Sequence, residues 1–211
     1  MTQVPILLLG AGGHARACID VIEQHGGFAI AGLLGLATEV GSRVLGYPVL
    51  GEDGEVARFL QPHGQALVTV GQIKSPELRM RLFELLAGHG VEAPTIVSPH
   101  AYVSPHATLG AGTIAMHGAI VNAGAIVGRN CIINSHALVE HDAVVGDHCH
   151  VATAAALNSG VRIGAGTFIG SNSTVRQGIT IGERCVIGMG QRILTDCAPG
   201  SYLPSVAGIA S

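Results

Sequence analysis

From Ile96 to Cys197 the sequence divides into seventeen consecutive hexads without an insertion. They open with IVSPHA, YVSPHA and TLGAGT and close with TIGERC, VIGMGQ and RILTDC. The second position is Val, Leu or Ile in sixteen of them, Ala115 being the exception, and the sixth is small in most. An α-helix would need a period of 3.6 and an amphipathic strand a period of 2. A period of six, with an aliphatic residue turned inward and a small one at a tight corner, describes a β-solenoid.

The repeat resembles the left-handed parallel β-helix of hexapeptide-repeat acyltransferases. The resemblance implies three hexads per triangular coil of 18 residues, hence five to six coils, and it implies the handedness. Residue n+18 then lies one rung above residue n, roughly 4.8 Å along the axis. Cys131, Cys149 and Cys185 share one column on this ruler. They read as small interior hydrophobes. With Cys18 and Cys197 they make five cysteines and no CxxC, so neither a disulfide framework nor a zinc ribbon is indicated.

Ahead of the repeat the pattern is α/β. Val4 to Leu9 reads as a strand, Gly10-Ala11-Gly12-Gly13-His14 as a tight loop, Ala15 to His25 as a helix and Phe28 to Leu34 as a second strand. Gly51 to Phe59, Ala66 to Val70 and Pro76 to Leu86 continue the alternation. This predicts a small Rossmann-like parallel sheet in residues 1–92, followed by the β-helix in 93–211. The loop fits G-x-G-x-x-A, which lets backbone N–H groups approach a phosphate at a helix N-terminus. No acidic residue precedes Glu39 after the second strand, which argues against NAD and leaves a phosphate-bearing substrate open.

Charge excludes other classes. The formal net charge is -3 and Lys74 is the only lysine, so no nucleic-acid footprint and no polybasic membrane patch is expected. The longest apolar stretch, Phe28 to Ala37, is too short to span a bilayer. A cytoplasmic protein is expected.

Six histidines fall between 106 and 150, densest in NSHALVEHD (134–142) and GDHCHV (146–151). Imidazole suits general-base work near neutral pH, and a neighbouring carboxylate can hold its tautomer. His141 with Asp142 or Glu140 offers that pairing. Ser159 is His141 plus 18, so its N–H could face the oxyanion of a tetrahedral intermediate. His150 lies half a coil from His141 and points to another side. One site using both would need neighbouring subunits, which predicts a trimer.

The opening LLLGAGGHA, the segment GYPVLG at 46–51, NSHALVEHD and GDHCHV together resemble a bacterial family of sugar acyltransferases. It comprises sialic-acid O-acetyltransferases and UDP-4-amino-sugar N-acetyltransferases (NeuD/PglD-like). The resemblance implies acetyl-CoA as co-substrate, no metal, and a homotrimer acting in surface-glycan biosynthesis. It implies His141 as general base, Asp142 as its acidic partner and Asn134 as an active-site amide. It places His150, Ser159, Ser171 and Met189 toward the coenzyme, and Gly12, Gly13, His14 and Gly71 toward a nucleotide-sugar or free sugar acceptor. The sequence departs from the family at Gly35-Leu36, where Asp-Asp is usual, and at Gly71-Gln72-Ile73, where Gly-Asp/Glu-Asn is usual. It departs again at the ending, residues 206–211, which lacks the usual Pro and basic residue.

Three other readings stay open at this level. One is O-acetylation of a sialic-acid-like sugar. Another is a zinc hydratase resembling γ-carbonic anhydrase, with His100, His136 and His141 as ligands. The third is an inactive sugar-nucleotide-binding scaffold.

Overall fold

The computed structural model describes residues 3–60, 64–91 and 93–205. The 206–211 ending lies outside them. The N-terminal part carries β1 (Val4–Leu9), α1 (Gly13–His25), β2 (Phe28–Gly35), β3 (Arg43–Val44), β4 (Tyr47–Glu52), α2 (Val56–Phe59), β5 (Gln65–Val68) and α3 (Glu77–Gly88). The sheet order is β3-β4-β2-β1-β5. All pairs are parallel except β3 with β4, an antiparallel ribbon at the edge that the hydrophobic pattern does not announce. Both faces of β1 are dry: Ile6 and Leu8 pack toward α1, while Leu7 and Leu9 pack toward α3. That two-sided burial is why the strand reads as a continuous apolar run.

The hexads build a left-handed parallel β-helix of three flat faces. The first face stacks seven two-residue strands, from Ile96–Val97 to Tyr202–Leu203. The second stacks six, from Tyr102–Val103 to Arg192–Ile193, and the third five, from Thr108–Leu109 to Thr180–Ile181. Strands pair 18 residues apart, as Ile120 with Leu138 and Ile132 with His150. Second-position residues such as Val121, Val139, Leu157 and Val175 fill the axis with the small corner residues. Along the cysteine column the side chains also accept backbone N–H groups from the next rung. Thr113 Oγ1 accepts from Cys131, Cys131 Sγ from Cys149 (3.4 Å), and Thr167 Oγ1 from Cys185. All three cysteines are buried and unpaired, as small interior residues should be.

The last hexad departs from the expected frame. After Ile193 the ladder continues with two residues fewer, so Tyr202 pairs with Val186 and Cys197 bridges Ile181, both 16 apart. Cys197 therefore occupies a strand position, not a corner. The shortened corner leaves the Thr180 N–H without its regular backbone acceptor, and Asp196 Oδ1 takes that bond at 2.8 Å.

One face of the prism carries the α/β part. Ile96, Ile114 and Ile132, outward-facing on the first face, join the core of α1 and β1. Arg79 of α3 is 1% exposed and has no carboxylate partner among the described residues. Its Nη1 donates to the carbonyls of Val68 and Val70, and its Nε to that of Asn130 in the solenoid. Asp20, His117 and Ser98 form a second tie, with His117 bonded to Asp20 at 3.0 Å and to Ser98 Oγ at 2.6 Å. The order resembles a hydrolytic triad, but Ser98 is buried and its hydroxyl accepts the His100 N–H, so this set is a clasp.

Candidate active site

The glycine loop follows from its packing. Gly10 has φ +112°, and a Cβ there would lie 2.5 Å from Val70 Cγ2 and 2.9 Å from Val70 N. Gly10→Ala is expected to lower stability by about 2–4 kcal/mol through backbone strain and overpacking, read as a fall in Tm. Gly12 caps α1 with no side-chain bond, and no acidic residue stands in the first turn. The first N–H groups of the helix are thereby left for an anion. Gly12, Gly13, His14 and Gly71 all line a cavity of about 190 Å³ between the ends of β1, β2 and β5. That is below the roughly 300–1,000 Å³ of a complete small-molecule cleft. The cavity alone is therefore too small to enclose a whole nucleotide-sized molecule.

At its inner end His14 meets His150, with ring centroids 6.3 Å apart. His150 is 6% exposed and packs edge-on against Phe168. Its Nδ1 meets the Gln72 carbonyl at 2.5 Å and its Nε2 meets Asn134 Nδ2 at 3.1 Å. One neutral tautomer satisfies both contacts: Nδ1–H donates, and Nε2 accepts from the Asn134 amide. Asn134 Oδ1 in turn accepts the Ser135 N–H. Burial holds His150 down at about 4, and burial with the nearby Arg79 charge holds His14 at about 3. Gln72, where the family has an acid, is 2% exposed and donates to the Gly166 carbonyl, pinning this loop to the solenoid.

His141 stands elsewhere, at the corner between the second and third faces, with its side chain 57% exposed. Its Nδ1 lies 2.8 Å from Asp142 Oδ2. Nδ1–H donating there leaves Nε2 with a lone pair facing outward. The hydrogen bond from Asp142 raises the imidazole above its ordinary value. Asp142 adopts φ 61°, the left-handed region that Asp tolerates, and the corner turns its carboxylate back on its neighbour. One rung up, Gly160 N–H bonds the His141 carbonyl at 3.0 Å, whereas the Ser159 N–H has no partner among the described residues. Ser171 and Met189 stack one rung apart at the corner between the first and second faces, where Gly190 N–H bonds the Ser171 carbonyl. Met189 is 60% exposed.

In a single chain the candidate residues thus fall into two separate groups, each a candidate half-site. One joins Gly12, Gly13, His14, Gly71, Asn134 and His150 at the docked face; the other joins His141, Asp142 and Ser159 at a free corner. His100 and His136 share the corner of Ser171, apart from His141. Among the described residues no three His, Cys, Asp or Glu side chains are placed to hold a metal. The spacing reading missed Gln72 and Arg79, whose role comes only from docking. It also missed Glu39, which folds back to the end of β2, where its Oε2 accepts the Leu36 N–H at 2.8 Å.

A three-faced β-helix with an α/β unit docked on one face is the architecture of a hexapeptide-repeat acyltransferase. Residues 5–86 match the PglD N-terminal domain, and residues 160–193 match the hexapeptide repeat of succinyl-transferase. A perosamine N-acetyltransferase mutant from Caulobacter crescentus, in complex with CoA and GDP-perosamine, is 30% identical. The match covers 96% of this chain and 94% of that one, with a TM-score of 0.87. The acetyltransferase domain of PglB from Neisseria gonorrhoeae FA1090, in complex with acetyl coenzyme A, is 28% identical. There the match covers 95% and 96%, also with a TM-score of 0.87. WeeI from Acinetobacter baumannii AYE shares the fold at 21% identity and a TM-score of 0.84, over 96% of this chain and 97% of that one. No curated protein matches the chain significantly. The chain belongs to the NeuD/PglD-like family of hexapeptide-repeat sugar acyltransferases. No helix among the described residues is long and apolar enough to cross a membrane.

Proposed function

We propose that this protein transfers the acetyl group of acetyl-CoA to the amine of a nucleotide-linked amino-sugar, in cytoplasmic steps of surface-glycan biosynthesis. The observation that carries the reading is the His141–Asp142 pair, with a free Ser159 N–H one rung above it. The amine nitrogen attacks the thioester carbon, and its proton passes to His141 Nε2. The Ser159 N–H stabilises the oxyanion. The tetrahedral intermediate collapses, the C–S bond breaks, and the CoA thiolate leaves and takes up the proton. Asp142 holds the tautomer. The α/β part, residues 1–92, would hold the nucleotide-sugar at Gly12, Gly13, His14 and Gly71, and the β-helix, 93–211, would supply the acyl chemistry. The neighbours solved with CoA or acetyl coenzyme A and with GDP-perosamine support both halves.

The two half-sites belong together only if the corner of one prism meets the docked face of another, which gives a closed trimer. Apolar residues facing outward on the second and third faces, Tyr102, Ile120 and Ile126 among them, suit side-by-side packing. In that assembly Ser171 and Met189 would flank the pantetheine arm, and His150 would act on the acetyl end through Asn134.

Free-thiol release from acetyl-CoA, scanned over UDP-, dTDP- and GDP-linked amino-sugars and free nonulosonic acids, tests the proposal. Thiol release on an amino-sugar nucleotide is the expected result. Release only on the free acids would redirect the reading to O-acetylation, and no release on any acceptor would overturn it.

A further inference from the structure

The cavity at the glycine loop has chemically different ends. The inner end holds His14, whose Nε2 is buried with no hydrogen-bond partner among the described residues, facing the solenoid's His150. The middle offers backbone N–H groups at the start of α1. The outer end, past Leu36, carries two carboxylates, Glu39 and Asp53. Glu39 reaches it because position 35 is glycine: a Cβ there would lie 2.6 Å from Glu39 Oε2 and 3.0 Å from Ala11 Cβ. With Oε2 held by the Leu36 N–H, Glu39 has one oxygen to spare. Asp53, just after β4, has a buried Oδ1 without a partner among the described residues. Burial, reinforced by the charge of Glu39, holds its carboxyl above the ordinary range, as a site lacking donors requires.

Anionic phosphates are repelled by this end and belong at the helix N-terminus. What fits between Glu39 and Asp53 is a planar group with two adjacent N–H donors on one edge. Uracil and thymine present a single N–H flanked by two carbonyls, which would oppose the carboxylates. Adenine and cytosine set one amino group beside an acceptor nitrogen. Guanine alone sets N1–H beside its 2-amino group.

We propose that the outer end reads guanine, Asp53 and Glu39 accepting from N1–H and the 2-amino group, so that the sugar acceptor is a guanosine-diphosphate sugar. This rests on the reading that the cavity takes a nucleotide-sugar. The Gly35-Leu36 pair, where the family commonly has two aspartates, is then the change that admits Glu39.

Calorimetric titration of the full chain with GDP, IDP, UDP and ADP tests it. IDP differs from GDP only in lacking the 2-amino group. GDP is expected to bind at least tenfold more tightly than IDP and UDP. In Asp53→Asn that margin is expected to shrink with UDP binding little changed, and Glu39→Gln serves as the second variant if Asp53→Asn does not fold. Equal binding of GDP and IDP, or preference for UDP, would overturn the guanine assignment while leaving the nucleotide-sugar reading intact. Binding of none of the four would overturn both.

Discussion

Replacing His141 by Asn is expected to lower kcat/KM for thiol release by roughly 10²–10⁴-fold, the range for loss of a general base. Acetyl-CoA affinity should change little, because in the proposed mechanism Nε2 takes the proton of the acceptor and is not asked to hold the coenzyme. The pH profile adds a second readout. Only the neutral imidazole accepts a proton, and the Asp142 hydrogen bond favours the charged form. Activity should therefore rise with pH along a limb lying above the ordinary histidine value of 6.5. Asp142→Asn removes that support, so the limb should move to lower pH while the plateau falls because the ring is no longer held. A profile that does not move in Asp142→Asn would sink the pairing as the source of the base.

The second large effect concerns stability in acid. His14 and His150 stay neutral in the fold because burial holds them at about 3 and about 4, against 6.5 when unfolded. Between those values the unfolded chain binds more protons, so stability is complete above pH 6.5 and is lost as pH falls toward 4. At about 1.4 kcal/mol per pH unit, His150 alone is worth about 3 kcal/mol, a large share of the roughly 5–15 kcal/mol that holds a domain. Tm should fall steeply from pH 6.5 to 4.5. His150→Gln, which puts an uncharged amide in place of the imidazole, should melt lower at neutral pH but with a shallower acid dependence. An unchanged slope would show that these rings are protonated without unfolding. Arg79 adds to the effect by placing a buried cation near both rings.

Much of this protein is written in its period. A solenoid ladder repeats one local geometry, so the 18-residue ruler placed Cys131, Cys149 and Cys185 in one dry column. It also placed Ser159 over His141, a relation that needs no contact with the α/β unit. The glycine loop was equally legible, because its residue types answer to a turn within a few positions of itself. His150 shows where that legibility stops. Spacing put it on a different side from His141, but its tautomer depends on the Gln72 carbonyl, supplied by a segment 78 residues away. Glu39 lay too far along the chain to count as an end-of-strand acid until the turn after Gly35 brought it back. The two-residue shortening after Ile193 was hidden because the hexad letters continue to fit; the pairings of Cys197 and Tyr202 16 residues back, and Asp196 Oδ1 in place of a backbone acceptor, reveal the change of frame. Local periodicity determined the six-residue ladder, the resemblance to known β-helices supplied the 18-residue triangular coil, and adjacency in the chain placed His141 beside Asp142. The docking of the α/β unit on one face decided which outward residues became a site, because burial and hydrogen-bond partners are set by what covers a surface and not by the strand that carries it.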